Sequence, residues 1–96
     1  MRMSIIKFRK KERKLYELFQ FFLKEKQLEK AIELIDPRNY DTAFKLGIFY
    51  GQQGSNEIAI KIFDQLNKIR PNELLLLNKG VALVNLGDEY QAMRCF

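Results

Sequence analysis

Few side chains in this sequence are of the kinds that carry out chemistry. The chain of 96 residues contains no histidine, which removes the commonest general base and the commonest metal ligand. Its single cysteine, Cys95, lacks the further cysteines that a zinc site or an internal disulfide needs. Asp88 and Glu89 are adjacent carboxylates, but at a predicted helix start they suit the helix dipole better than acid–base catalysis. These residues predict a protein that is not an enzyme and that uses no metal or cofactor.

Three glycines, Gly47, Gly51 and Gly54, lie close together in the sequence but do not form a phosphate-binding loop. No Gly-Lys-Ser or Gly-Lys-Thr follows them, and they fall at positions of predicted helix and turn. The remaining possibility is recognition through a surface, which depends on how the secondary structure presents its side chains.

Apolar and small residues recur with helical spacing on either side of Gly54 and Ser55. They are Ala43, Leu46, Gly47 and Tyr50 before the turn, and Ala59, Ile62, Phe63 and Leu66 after it. Residues with this spacing share one face of a helix, so the stretch from Tyr40 to Pro71 predicts two amphipathic helices. Gly47 and Ala59 are small enough to let two antiparallel helices touch, and we predict close packing there.

The same unit recurs later in the chain. Gly47, Tyr50, Gly54, Ala59 and Phe63 are matched 33 residues later by Gly80, Leu83, Gly87, Ala92 and Phe96. Self-similarity at a fixed period indicates stacked repeats. The pattern resembles the tetratricopeptide repeat at Leu46-Gly47, Tyr50, Gly54, Ala59, Phe63 and Pro71, and again at Leu76, Gly80, Leu83, Leu86-Gly87-Asp88, Ala92 and Phe96.

The resemblance implies an all-α fold in which antiparallel helix-turn-helix units stack as a right-handed α-solenoid. We divide the single domain, residues 1–96, into about two and a half units. These are a degenerate or capping helix pair at 1–39, a repeat at 40–72 and a truncated repeat at 73–96.

The first pair departs from the later units. We predict one long helix from a cap at Ser4 to about Lys24, and a short helix from Leu28 to Ile35 that ends before Pro37. Aligned on the later repeat, Leu18, Phe19 and Phe22 take the places of Leu46, Gly47 and Tyr50. A bulky side chain therefore stands where the repeat has a glycine, as befits a terminal capping unit.

The third unit is predicted to begin with an Asn72 cap and a helix over 73–86, followed by a second helix from Glu89. The sequence stops at Phe96, inside the apolar stripe of that second helix. We therefore expect either a fragment of a longer array or an end covered by a partner or by self-association with a second copy.

Positive charge is concentrated near the N-terminus. The formal net charge is +5, whereas residues 1–14 alone hold seven basic residues against one acidic residue, Glu12. The basic patch consists of Arg9, Lys10, Lys11, Arg13 and Lys14. Such a patch could bind nucleic acid or another acidic surface, but a solvated helix start is the commoner explanation, and no base-stacking aromatic residues interleave.

The remaining composition bounds the setting in which the protein works. No apolar run approaches the ~18 residues of a membrane span, so we predict no membrane insertion. The single cysteine fits a reducing compartment, and we expect a cytoplasmic protein.

The resemblance also implies a binding groove, because the first helices of tetratricopeptide units line a concave face that holds an extended peptide or a helix. The corresponding positions are Tyr16, Gln20, Phe44, Ile48, Gln52, Leu77, Val81 and Asn85. Members that clamp a C-terminal carboxylate use Lys, Arg and Asn at such positions. Apolar Phe44, Ile48, Leu77 and Val81 stand there instead, so we expect no such clamp.

Two interpretations of this apolar stripe stay open. The first is a non-catalytic scaffold that binds a protein or peptide partner in the groove. In the second, the protein covers the stripe itself, with its first helix or with another copy of the chain.

Overall fold

The computed structural model describes residues 6–87 and 94–95, and the regular structure in this part of the chain is entirely helical. The helices are α1 (Lys10–Lys24), α2 (Leu28–Glu33), α3 (Tyr40–Gln52), α4 (Asn56–Ile69) and α5 (Glu73–Asn85), with a 3₁₀ turn (Pro37–Asn39) before α3. Successive helices pack together, α1 on α2, α3 on α4 and α4 on α5. In addition, α1 contacts α3, and α2 contacts α4. The prediction of an all-α fold of consecutively packed helices is confirmed.

The first helix begins later than predicted. Residues 6–9 are not helical, so the prediction of one long helix from Ser4 is wrong there, and Ser4 itself lies outside the described residues. Arg9 has extended backbone, and its N–H donates a hydrogen bond of 2.7 Å to the Glu12 carboxylate. This bond satisfies the backbone donor at the helix start. The segment before Arg9 is thereby free to leave the helical path and fold back onto the protein.

The second helix is also shorter than predicted, because it ends at Glu33 rather than at Ile35. Ile35 is nevertheless buried in the connection that follows. Asp36 then accepts hydrogen bonds from the backbone N–H groups of Arg38 and Asn39 in the 3₁₀ turn. The chain therefore turns sharply through Asp36 into α3.

Glycine and asparagine define the later turns as the sequence predicts. Gly54 and Gly87 have φ values of +85° and +83°, a region that side chains with a Cβ rarely adopt. The side-chain oxygen of Asn72 accepts a hydrogen bond of 2.8 Å from the backbone N–H of Leu74, so the predicted cap of α5 is confirmed.

Two glycines on α3 let this helix pack closely against α4. A Cβ on Gly47 would lie only 2.6 Å from Cε1 of Phe63, and a Cβ on Gly51 would lie 3.8 Å from Cβ of Ala59. Later residues of α3 thus meet earlier residues of α4, as antiparallel helices require. The predicted approach of Gly47 to the Ala59 helix is confirmed, but its neighbour there is the ring of Phe63, while Gly51 faces Ala59.

The core draws on all five described helices, with Ala31 as the buried residue of α2. Its largest fully buried side chains are Phe19, Leu46, Ile62, Leu66 and Leu75. At one end of the α3–α4 pair, the Tyr40 hydroxyl donates a hydrogen bond of 2.8 Å to the carbonyl of Arg70. Gly80 of α5 is buried, but its predicted neighbour Ala92 and most of the second helix of this unit lie outside the described residues.

Candidate binding surface

An open cleft with a volume of about 280 Å³ lies between α3 and α5, and residues of α4 also line it. Its described lining residues are Gly47, Ile48, Gly51, Gln52, Asn56, Phe63, Asn78, Val81, Ala82 and Asn85. Four of the predicted groove residues therefore meet in this one cleft, namely Ile48 and Gln52 from α3 and Val81 and Asn85 from α5.

The cleft results from the way three helices pack. α3 and α5 both pack against α4 and also contact each other. Gly47 and Gly51 have no side chain, and Ala82 has a small one, so space remains between the helices. Ile48 and Phe63 lie against the hydrophobic core, which fixes the apolar part of the lining.

Side-chain amides supply the polar part of the lining. Asn56, the first residue of α4, is only 7% exposed. Its amide nitrogen donates a long hydrogen bond of 3.3 Å to the carbonyl of Gly54. Its side-chain oxygen is buried and has no hydrogen-bond partner among the described residues. On α5, the amide nitrogen of Asn78 donates to the carbonyl of Leu74 at 2.7 Å, which leaves its oxygen as an acceptor.

The outer face of α5 is apolar and solvent-exposed. Leu74, Leu77, Val81 and Val84 follow one side of the helix, with Leu77 and Val81 about half exposed, at 51% and 50%. Leu77 does not line the cleft but a neighbouring hollow, together with Leu76 and Cys95. Leu77 and Val81 therefore present one continuous apolar strip that leads away from the cleft.

Phe44 occupies a more interior position than the other groove candidates. It is half-buried beside the core, and its ring centroid lies 6.0 Å from that of Phe63. It lies outside the cleft. Truncating Phe44 would consequently affect packing as well as any binding.

Tyr16 and Gln20 lie on α1, apart from the cleft. Tyr16 is half-buried in an aromatic cluster that we define as Phe8, Tyr16 and Phe49. The ring of Tyr16 stacks on Phe8 at a centroid distance of 4.9 Å and meets Phe49 edge-on at 5.4 Å. Gln20 lines a separate hollow with Phe21. The structure therefore brings the α3 and α5 candidates together but leaves these two at a different place.

Sequence reasoning missed the aromatic cluster because it placed Phe8 inside a helix. Lys45 belongs to the same assembly, with its amino group 5.5 Å from the Phe8 ring centroid and 2.9 Å from the Glu12 carboxylate. The one local signal was Glu12, since an acidic residue at the third helical position often marks a helix that starts three residues earlier.

The basic patch forms the start of α1. Arg9, Lys10, Lys11, Arg13 and Lys14 are all exposed, and none of them forms an ion pair with a described residue. Glu12, the acidic residue among them, is directed toward Lys45 instead. Hydrogen bonds from the Arg9 N–H and from Lys45 lower the pKa of the Glu12 carboxyl and keep it ionised. The one negative charge of the patch is thus already partnered.

Titratable groups elsewhere offer little for catalysis. Burial raises the pKa of the Tyr50 hydroxyl, so this group stays neutral. In the part of the chain that the structure describes, no three Asp, Glu or Cys side chains come together as metal ligands would. None of the described helices is both long and apolar enough to cross a membrane.

Comparison with known proteins identifies one segment. Residues 40–73 match the profile of the family described as tetratricopeptide repeat. The matched range begins with α3, includes all of α4 and ends at the first residue of α5. No curated protein and no solved structure matches the chain.

Proposed function

Because residues 40–73 match the tetratricopeptide repeat and the regular structure of the described residues is helical, we propose that this protein is a protein-interaction scaffold that binds a peptide segment along α3 and α5. Tetratricopeptide repeats generally mediate binding to protein partners and are generally not catalytic. The bound segment would be extended or helical and would place apolar side chains against Ile48, Leu77 and Val81.

The observation that carries this proposal is the convergence of groove residues in the cleft. Ile48 and Gln52 belong to one helix, Val81 and Asn85 to another, and all four line the same space. The cleft is already open in the unbound protein, which reduces the ordering cost of binding. Beside it, the half-exposed Leu77 continues the apolar surface.

A selected peptide ligand tests the proposal. Peptides selected from a displayed random library on the wild-type protein would be titrated by fluorescence anisotropy against two variants. Val81→Glu places a charge at the cleft, whereas Leu18→Glu places one on α1, where Leu18 is 39% exposed and outside the cleft. We expect Val81→Glu to weaken binding by about tenfold or more and Leu18→Glu to leave it unchanged. Equal binding by both variants would contradict the groove.

The basic patch supports a second function, the binding of nucleic acid or another acidic surface. The supporting observation is that its five exposed cations lack ion-pair partners among the described residues, while Glu12 forms an ion pair with Lys45. Contacts of Lys and Arg with phosphates release counterions, so such binding weakens steeply as salt rises.

RNA titration at increasing salt tests the second function. A fluorescent single-stranded RNA would be titrated at increasing salt against wild type, the triple variant Lys10→Gln, Lys11→Gln, Lys14→Gln, and a control triple variant Lys24→Gln, Lys30→Gln, Lys68→Gln. All six lysines are exposed, so both triple variants should fold and carry equal net charge. We expect only the first to lose RNA binding. Equal loss in both variants would indicate attraction by net charge alone.

A further inference from the structure

We propose that the cleft between α3 and α5 selects an uncharged side chain that carries a carboxamide, asparagine or glutamine, within the bound peptide. This inference rests on the proposed scaffold function, since it names the chemical group that the same groove would recognise. It follows from three properties of the cleft, namely the absence of charge in its described lining, its density of amide groups and its size.

Every described residue that lines the cleft is uncharged, although 30% of the chain is charged. Lys79 follows the lining residue Asn78 in the sequence of α5. Its amino group forms an ion pair of 2.7 Å with Asp64 of α4. A carboxylate or an ammonium group entering the cleft would lose hydration without gaining a counter-ion from these residues. Charged peptide side chains are therefore disfavoured.

Amide groups occur on all three helices that line the cleft. Gln52 ends α3, Asn56 begins α4, and Asn78 and Asn85 lie on α5. A carboxamide offers two donors and an acceptor, so a ligand carboxamide can donate and accept toward these groups at once. A purely apolar ligand would cover the side-chain oxygen of Asn56 without giving it a donor, which is unfavourable.

Asn56 provides a second and independent observation. Its side chain is among the most buried polar groups of the described chain, at 7% exposure, and none of the described residues donates a hydrogen bond to its oxygen. A buried acceptor without a donor destabilises the unbound protein. A small turn of this side chain toward the cleft would let a ligand N–H supply the missing hydrogen bond.

The dimensions of the cleft limit what it can hold. Its volume of about 280 Å³ lies at the lower edge of the ~300–1,000 Å³ found for small-molecule sites. Gly51 is part of the wall but adds no side chain to it, and a Cβ there would lie 3.8 Å from that of Ala59. One side chain with its adjoining backbone would fill this space, so the cleft suits a single residue of the bound peptide.

The test uses blocked tripeptides, acetyl-Ala-X-Ala-amide, in which X is Gln, Glu, Lys or Leu. Each is titrated into the isotopically labelled 96-residue protein and followed by two-dimensional NMR. We expect the Gln peptide to shift the signals of Gly51, Asn56 and Asn85 with a Kd of about 1 mM, as for a small fragment. The Glu, Lys and Leu peptides should bind at least about tenfold more weakly.

Amide-to-leucine variants locate the effect. Asn85→Leu and Asn56→Leu should each weaken binding of the Gln peptide by about tenfold, whereas Gln53→Leu, an exposed amide outside the cleft, should not. Asn85 is exposed, so its variant remains informative even if the buried Asn56→Leu protein fails to fold.

These outcomes distinguish the carboxamide inference from the scaffold function on which it rests. Equal binding of the Leu or Glu peptide, or no shift at the cleft by any peptide up to about 10 mM, would overturn the carboxamide inference. The scaffold function would survive that result if Val81→Glu still released the selected library peptide. If Val81→Glu did not release it, both proposals would fall together.

Discussion

In the α3–α4 pair, Gly47 leaves room for the ring of Phe63 between two helices of 13 and 14 residues. The α1–α2 pair has Phe19 at the aligned position, and α2 has only six residues. Phe19 is fully buried, but its ring meets that of Tyr50 on α3, with 5.5 Å between centroids. The position that holds Gly47 thus lets α3 meet its own partner helix, whereas Phe19 at the aligned position contacts the neighbouring pair.

The contrast shows how a single position can redirect packing. A glycine allows two partner helices to approach until aromatic and aliphatic side chains interlock. A phenylalanine in its place fills that space and extends toward the next unit instead. We call the contact region between α1 and α3 the α1–α3 seam. It also includes the Glu12–Lys45 ion pair and the aromatic cluster of Phe8, Tyr16 and Phe49. The first pair is therefore held to α3 by aromatic contacts and an ion pair.

The largest effect is expected from Phe63→Ala, inside the α3–α4 pair. Phe63 is 2% exposed, and its removal should lower the free energy of unfolding by about 3–5 kcal/mol. Phe21→Ala serves as the control, because Phe21 on α1 is 55% exposed and should cost no more than about 0.5 kcal/mol. Urea unfolding followed by circular dichroism measures both. Similar losses for the two variants would remove the distinction between the pairs.

Two glycine substitutions examine the same interface more finely. The new Cβ of Gly47→Ala would lie 2.6 Å from the Phe63 ring, and overpacking should cost about 1–3 kcal/mol. The new Cβ of Gly51→Ala would lie 3.8 Å from Ala59, an ordinary contact, so helix propensity should stabilise that variant by up to about 1 kcal/mol. Opposite signs in thermal unfolding support the packing, and destabilisation of both variants by the same amount would argue against it.

The helices α3, α4 and α5 were predicted well from the sequence, because helical periodicity, turn glycines and caps all indicate the same helix boundaries there. The spacing around Gly47, the positive φ of Gly54 and the Asn72 cap all specify the same structure. The start of α1 could not be predicted in the same way. Helical spacing also fits Phe8, but the hydrogen bond from the Arg9 N–H to Glu12 starts the helix after it, and Phe8 packs against Tyr16 and Phe49 instead.

The candidate site was predictable in part. Positions carried over from the repeat pattern placed Ile48, Gln52, Val81 and Asn85 on neighbouring helices. The role of Asn56 was not predictable, because its burial depends on three helices meeting around it. Tyr16 was assigned to the groove by alignment, but the position of Phe8 over its ring could not be read from periodicity.

The α1–α3 seam should respond to Phe8→Ala. Loss of two aromatic contacts should destabilise the protein by about 1–2 kcal/mol, less than Phe63→Ala. Because this seam holds α1 to α3, hydrogen exchange should accelerate in α1 more than in α3 or α4. Leu18→Ala, at an exposed position of α1, is the control and should change neither quantity appreciably. Uniform acceleration across all helices would mean that the seam is part of one cooperative core.

The smallest effect concerns the charge at the polar end of the seam. Since the pKa of Glu12 is lowered from its ordinary 4.5 in the folded protein, its ionised form stabilises the fold above pH 4.5. This contribution is lost as the pH falls through the lower folded pKa. Glu12→Gln keeps the shape of the side chain but removes its charge. The free energy of unfolding of wild type should therefore exceed that of the variant by up to about 1 kcal/mol at neutral pH. The difference should vanish in acid, and Glu17→Gln, which changes an exposed carboxylate on the same helix, is the control that should alter stability little at neutral pH. Urea unfolding from about pH 7 down to about pH 3 measures these differences, and a gap for Glu12→Gln that persists in acid would show that the seam does not depend on this charge.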